Sequence, residues 1–456
     1  MLYNQTIAAI ATPRGTGGLS VIRVSGPDTF TICDRVFRNP SGKMLQSAET
    51  HTIVYGHIVD GGKTVDEVLV SVMKAPHTFT GENTVEISCH GGITVTDAVL
   101  SAVLKNGAVL AGPGEFTKRA FLNGRLDLSQ AEAVIDVINS DSALALESAS
   151  LQLEGRLSGE IASVRDDLLN RIAQLNAAAD FPEEDIDELG IGELRSSLLL
   201  SKKRLEGLLA SAGRGKLIRD GIDTAIIGKP NVGKSSLLNA LAEENRAIVT
   251  DIAGTTRDVI EERISIGPVC LNVFDTAGIR HTDDVIEAMG IDKSREYLAK
   301  AELVLFLLDA EAGITEEDVA IADELSEKKV IMVANKTDSA PAPDCSQLNL
   351  AAPVIAVSAK KGTGLEQLSD TILRLFNLGE LSQDNTPVVT NLRHKQSLAH
   401  AASYLSDAIT AIDNQIPPDL VVIDLTNAVT ALGEITGQTV SEEIVDKIFS
   451  RFCLGK

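Results

Sequence analysis

Gly228-Lys229-Pro230-Asn231-Val232-Gly233-Lys234-Ser235 is the stretch whose reading decides the fold of the middle of this chain. It fits the pattern GxxxxGKS, with a strand-like run, Thr224-Ala225-Ile226-Ile227, before it and a helical run from Ser236 to Leu241 after it. Strand, glycine-rich loop and helix together make a phosphate cradle. The glycines let backbone N–H groups turn inward at a helix N-terminus, where the helix dipole favours anions. In that setting Lys234 faces the β- and γ-phosphates, the Ser235 hydroxyl is placed for Mg²⁺, and Asn231, Val232, Gly233 and Ser236 complete the lining.

The parts of a guanine-nucleotide switch follow in order. Gly254-Thr255-Thr256-Arg257-Asp258 offers Thr256 as the threonine that completes the Mg²⁺ shell. After the strand Leu271-Asn272-Val273-Phe274 comes Asp275-Thr276-Ala277-Gly278, with Asp275 behind the metal and the Gly278 N–H toward the γ-phosphate. Asn335-Lys336-Thr337-Asp338 follows the strand Val330 to Ala334, and its Asp338 can accept from guanine N1 and N2, which adenine cannot supply. Ser358-Ala359-Lys360 closes the base pocket. The nucleotide expected is therefore GTP. Ile279 stands where Ras-like enzymes carry a water-orienting Gln, and an alkyl chain cannot do that work. Hydrolysis needs another residue and another cation; the carboxylates downstream are Asp283, Asp284, Glu287 and Asp292.

Outward from this domain the character changes. At 456 residues the chain is too long for one core, and several domains are expected. Residues 1 to 120 carry period-2 runs: Val68, Val70 and Val72 alternate with Leu69, Ser71 and Met73, and Val85, Ile87 and Cys89 with Glu86, Ser88 and His90. Residues 121–215 read as helical, opened by a capping box at Ser129-Gln130-Ala131-Glu132. An apolar stripe follows at Leu157, Ile161, Val164, Leu168, Ile172 and Leu175, and a second helix from Leu198 ends at Gly213-Arg214-Gly215. Residues 216–379 hold the α/β domain, and helical spacing returns over 380–456, with Leu398, Ala402, Leu405, Ile409 and Ile412 on one face. Neither helical block makes a bundle alone, so the two are expected to pack together with the α/β domain inserted between them.

Lys and Arg total 41 against 64 Asp and Glu, a formal charge of -23, which argues against broad non-specific nucleic-acid binding. The five cysteines are far apart and form no CxxC pair, which points to free thiols in a reducing, cytoplasmic setting. No apolar run reaches membrane-spanning length, and the N-terminus lacks a signal pattern.

Beyond the nucleotide motifs, the chain resembles a known family over its whole length. The segments that carry the likeness are Thr6-Ile7-Ala8-Ala9, Ala11-Thr12-Pro13, Phe79-Thr80-Gly81-Glu82, His90-Gly91-Gly92, the long run from Pro113 to Leu128 (PGEFTKRAFLNGRLDL) and Phe452-Cys453-Leu454-Gly455-Lys456. With GTTRD and the apolar residue after DTAG, they resemble the tRNA-modifying GTPases of the MnmE (TrmE) type. The resemblance implies a multidomain α/β architecture: an N-terminal α+β folate-binding-like and dimerisation domain, a discontinuous helical-bundle domain and an inserted Ras-like P-loop GTPase domain. It implies modification of C5 of the wobble uridine in certain tRNAs, in a homodimer working with an FAD-carrying flavoprotein of the MnmG (GidA) type in a heterotetramer or larger. The one-carbon unit would come from 5-formyl- or methylene-tetrahydrofolate held by Arg23, Glu82, Arg125 and Lys456, with Cys453 a candidate nucleophile. It also implies a K⁺ ion held by the Asn231 side chain and by Thr250, Ile252 and Thr255, within the loop Thr250-Asp251-Ile252-Ala253-Gly254-Thr255-Thr256. Glu287 would then position the attacking water.

Two other classes compete. Ribosome-assembly switches of the Era and Der kind share GxPNVGKS and GTTRD but carry a KH-type domain or a second GTPase, neither of which is evident. A dynamin-like membrane GTPase would need a basic amphipathic stripe or a lipid anchor, and none is visible.

Overall fold

The computed structural model describes residues 4–180, 188–244, 262–274, 297–379 and 387–456. Contacts divide the chain into two units: residues 1–135, 158–165 and 429–456 form the first, and residues 136–157 and 166–428 the second.

The first unit is built on a seven-stranded sheet. Its strands are β1 (Ile7–Ile10), β2 (Ser20–Ser25), β3 (Phe37–Arg38), β4 (Thr52–Asp60), β5 (Lys63–Met73), β6 (Thr84–Cys89) and β7 (Val109–Leu110), in the order β3-β4-β5-β6-β2-β1-β7. Strand alternation sends alternate residues to opposite faces, and the register lines them up. Val72, Val85, Val24 and Ala8 form one cross-strand row, and Val70, Ile87, Ile22 and Ile10 the next. These rows are buried under α1 (Thr29–Val36) and α2 (Ile93–Lys105), which contribute Ile32, Cys33, Val36, Val99 and Val103. The opposite face carries Ile7, Ala9, Arg23 and Ser25, and Phe116 of α3 (Glu115–Leu122) packs there with Ile7 and Ala9.

Three helices follow, α4 (Leu128–Ile138), α5 (Ala143–Leu153) and α6 (Arg156–Asp180). The expected capping box lies two residues early. Asp127 Oδ1 accepts from Gln130 N at 2.9 Å, and Gln130 Oε1 accepts from Asp127 N at 3.0 Å. Ser129 Oγ instead donates to Asp127 Oδ1. In α6, Leu157, Ile161, Val164, Leu168 and Leu175 are buried as the stripe predicts, and Ile172 is half-buried.

Helix α7 (Glu188–Asp220) corrects another expectation, because it runs straight through Gly213-Arg214-Gly215. The reason is packing. A Cβ at Gly215 would sit 2.2 Å from Val389 O, so glycine there admits a neighbouring backbone instead of ending the helix. Ser211 Oγ, buried nearby, accepts from Val389 N at 3.1 Å. The helix Leu392–Asp413 lies along α7, with Arg195 pairing Asp413 through two bonds of 2.6 and 3.0 Å. Leu398, Ala402, Leu405 and Ile409 of that helix are buried.

The second unit also holds a six-stranded sheet made of β8 (Ile222–Ile227), β9 (Glu262–Ile266), β10 (Val269–Phe274), β11 (Leu303–Asp309), β12 (Val330–Asn335) and β13 (Val354–Ala356), ordered β13-β12-β11-β8-β10-β9. All pairs are parallel except β9 with β10. The buried runs of β10, β11 and β12 are continuous, as a parallel sheet covered on both faces requires. From β8 the chain goes first to β10 on one side and then to β11 on the other. That reversal opens a crevice at the carboxyl end of β8, where open α/β sheets bind ligands. Among the described residues no helix is long and apolar enough to cross a membrane.

Candidate functional site

The loop after β8 leads into α8 (Lys234–Glu244). Two of its glycines are fixed by space as well as by backbone. Gly228, at φ 154°, would push a Cβ to 2.6 Å from Leu307 O, and Gly233, at φ 97°, to 2.2 Å from Asn335 Nδ2. Asn231 is exposed with φ 64°, a left-handed conformation that Asn tolerates better than most residues. Lys234 Nζ donates to the carbonyls of Gly228 and Lys229, which holds its ammonium over the loop. Ser235 and Ser236 are exposed in the first turn of α8, where uncommitted N–H groups and the dipole favour an anion.

A buried anchor fixes the loop from behind. Lys229 Nζ lies 2.7 Å from Asp318 Oδ2 and donates to Thr315 Oγ1 at 2.9 Å. Asp318 is fully buried at the start of the helix Glu316–Glu324, and the same Oδ2 accepts from Thr315 N. Thr315 and Asp318 form the capping box of that helix and belong to no nucleotide motif, and the pairing with Lys229 joins residues far apart in the chain.

The base-side loops converge on this loop. Asn335, at the end of β12, donates from Nδ2 to Val232 O at 2.9 Å and accepts from Ala359 N at 3.2 Å. Thr337 N donates to Val357 O, and Ser358 Oγ donates to Asp338 Oδ1 at 2.8 Å. That bond from Ser358 holds the Asp338 carboxyl below its ordinary range against a smaller effect of burial, helped by the charges of Lys361 and Lys360. Lys336 is a non-glycine residue at φ 65°, a backbone state costing about 1–2 kcal/mol. Its Nζ donates to Asp309 Oδ2 at 2.6 Å. Burial pushes the Asp309 carboxyl up, but Lys336 and the N–H groups of Glu311 and Ala312 bring it below the usual range.

The geometry thus joins Asn231 to Ser236, Asn335 to Asp338 and Ser358 to Lys360 at one end of one sheet. Thr250, Asp251, Ile252, Ala253, Gly254, Thr255, Thr256, Asp275, Thr276, Ala277, Gly278, Ile279 and Glu287 lie outside the described residues.

A second cluster occupies the open face of the first unit's sheet. Arg23 stands on β2, an interior strand. Its Nε donates to Glu86 Oε1 at 2.8 Å, and its guanidinium lies 5.6 Å from the ring centroids of both Phe79 and Phe116. Ser25, two residues on and on the same face, donates to Glu82 Oε2 at 2.7 Å. Glu82 also accepts from Arg119, which is 2% exposed and bonded to Glu115 Oε1 and Gln5 O. The last residues of the chain come onto this face. Arg23 donates to Gly455 O at 3.4 Å, Phe116 N to Lys456 O at 3.2 Å, and Phe452 is buried beside Phe449 and Leu128. Cys453 is exposed. Arg125 is exposed in the turn after α3, its N–H donating to Ala120 O at 2.9 Å.

Comparison with known proteins is decisive for the family. Residues 6–125 match the model of the GTP-binding protein TrmE N-terminus, and residues 128–453 that of the MnmE helical domain. The tRNA modification GTPase MnmE of Geobacillus thermodenitrificans is 49% identical over 457 residues, covering 99% of this chain and 99% of that protein. The chain belongs to the MnmE family. The Bacillus subtilis MnmE is 46% identical and covers 99% of this chain and 100% of its own. Among solved structures, the G domain of the Thermotoga maritima FeoB iron transporter is 28% identical, covering 33% of this chain and 96% of that one, with a TM-score of 0.25. A variant of Era from Aquifex aeolicus is 29% identical over 40% of this chain and 65% of that one, with a TM-score of 0.26.

The MnmE-family architecture is that expected from sequence: an N-terminal α+β part, helical segments before and after, and a P-loop α/β sheet between them. Arg119, Asp309 and Asp318 are the residues that sequence reasoning did not single out. Arg119 lay within the quoted PGEFTKRAF run without a role. An arginine between apolar positions of a short helix was the available signal, since such a residue is buried only when paired.

Proposed function

We propose that this chain is a K⁺-dependent GTPase whose hydrolysis drives modification at C5 of the wobble uridine in certain tRNAs. It would act as a homodimer with an FAD-carrying flavoprotein of the MnmG type. The observation that carries the GTPase part is the convergence of the phosphate loop with Asn335–Asp338 and Ser358–Lys360 at the carboxyl end of β8, in a member of a GTPase family. Lys234 neutralises the β- and γ-phosphates, the Gly278 N–H meets the γ-phosphate, and Asp338 selects guanine by accepting from N1 and N2. Mg²⁺ held by Ser235 and Thr256, and K⁺ held by Asn231, Thr250, Ile252 and Thr255, would offset the charge that builds on the β–γ bridge. Asn231 suits that role because its amide is exposed at the mouth of the loop. Glu287 positions the attacking water in place of the Gln that Ile279 replaces.

The domains of this reading are residues 1–120 for folate and dimerisation, 121–215 and 380–456 for the helical host, and 216–379 for the GTPase. The folate derivative would sit on the open face of the first sheet. Support comes from a guanidinium between two aromatic rings, a carboxylate at Glu82 and the arrival of Gly455 and Lys456 on that face. Arg125 and the exposed Cys453 thiol belong to the same reading. Glu82 suits the N–H donors of a pteridine ring, and Lys456 the carboxylates of its tail.

Steady-state GTP hydrolysis in K⁺ against Na⁺ tests the cation. K⁺ is expected to raise kcat on the order of 10²-fold, the size of a lost transition-state charge contact. Equal rates in the two salts would remove the mechanism.

A further inference from the structure

The strand end at Asp309 is not part of any nucleotide motif read from the sequence, yet its carboxylate bonds the base-side loop directly through Lys336. β11 and β12 run parallel and in register, so Asp309 stands opposite Asn335, and Ala310 N donates to Asn335 O at 3.0 Å. Asp309 divides its two oxygens between two tasks. Oδ1 accepts from Glu311 N at 2.9 Å and Ala312 N at 3.4 Å, which shapes its own loop. Oδ2 takes the Lys336 ammonium at 2.6 Å. The pair is shielded, with the Asp309 side chain 14% and the Lys336 side chain 33% exposed, so water screens it less than a surface ion pair.

Lys336 is the residue at which the backbone turns left-handed. The residue before it reaches the phosphate loop through Val232 O, and Asp338, two residues after it, meets Ser358. An L-residue without a short polar side chain does not hold that conformation unaided. We propose that Asp309 is a positioning residue for guanine recognition, its ion pair with Lys336 holding the turn from which Asn335 and Asp338 are aimed. The pair acts on the base-side loop, while Lys229 and Asp318 brace the phosphate loop from behind. This rests on the guanine-nucleotide reading above.

The test is a double-mutant cycle on the full chain with GDP and inosine 5′-diphosphate, which lacks the 2-amino group offered to Asp338. Asp309→Asn keeps an oxygen for Glu311 and Ala312 and removes the charge facing Lys336; Lys336→Met keeps an alkyl stem and removes the ammonium. Asp309→Asn is expected to weaken GDP about tenfold, in the range for directly coupled pairs, and to weaken inosine diphosphate less, so that the preference for GDP narrows. In the Lys336→Met background the same change is expected to shift GDP affinity less than about twofold. Equal losses in the two backgrounds, or an unchanged preference between the two nucleotides, would overturn the proposal. Should Asp309→Asn not fold, Lys336→Met alone decides: GDP affinity at the wild-type level refutes the pair. Wild-type protein that binds no GDP would sink the guanine reading and this proposal together, whereas a neutral Asp309→Asn in a GDP-binding protein sinks the pair alone.

Discussion

Asp338 already holds one donor, Ser358 Oγ at 2.8 Å, and that bond orients its carboxyl and holds it below its ordinary range. A carboxylate can accept from two neighbouring N–H groups of guanine; an amide can accept from only one and turns a donor toward the other. Asp338→Asn is therefore expected to weaken GDP on the order of 10²-fold, the scale on which a site built for hydrogen bonds rejects a mismatched partner. Xanthosine diphosphate, which offers an oxygen where guanine offers the amine, should bind the variant better than the wild type. Isothermal titration with both nucleotides checks the inversion, and parallel losses for both would refute the assignment of Asp338. The sequence could suggest this role because its four-residue motif is contiguous. The motifs suggested only that Ser358 and Asp338 line one pocket; the bond between them came from the structure. The hold of Asp309 on Lys336 was not legible, because nothing in the spacing of residues 27 apart marks them as partners.

At the scale of elements, the helical periodicities were read correctly and the punctuation was not. Except at Ile172 and Ile412, which are half-buried, the stripes of α6 and of Leu392–Asp413 are buried where predicted, since period 3.6 follows from the helix itself. Gly213-Arg214-Gly215 looked like a stop because glycine is a poor helix former and a common cap. Gly215 is inside α7 for another reason, the Val389 backbone pressed against it. This gives a prediction with a diagnostic sign. In an open helix Gly→Ala gains about 0.5–1 kcal/mol. Here Gly215→Ala must displace a backbone carbonyl, and overpacking of that kind costs about 1–3 kcal/mol. Chemical denaturation of the full chain should show a net loss; a gain would mean that α7 and the segment around Val389 do not touch as described. The capping box illustrates the same limit. Asp127 and Ser129 are both good N-cap residues followed three positions later by Gln130 or Glu132, and only the path of the chain before α4 selects Asp127.

For the whole molecule, the telling fact is that the last residues of the chain belong to the same unit as the first. Gly455 lies at φ 87°, and a Cβ there would be 2.2 Å from Ile10 O, so the tail is seated against β1 with no room for a side chain. On the folate reading proposed above, Gly455→Ala should lift Gly455 and Lys456 off the sheet and weaken binding of 5-formyltetrahydrofolate about tenfold or more, a loss within the range for strain at a special backbone position. GDP affinity should stay at the wild-type level; unchanged folate binding would refute the role of the tail. What the sequence determined by itself was the GTPase class, the fold class and the family. The runs proposed to hold phosphate and guanine are short and contiguous, with spacing that such a ligand would dictate, so their physics is local. The tertiary structure alone decided the pairs that fix those runs in place: Lys229 with Asp318, Asp309 with Lys336, Arg119 with Glu82, and the tail with β1. Their energies depend on burial and on distance in space, and neither is encoded in the separation of residues along the chain.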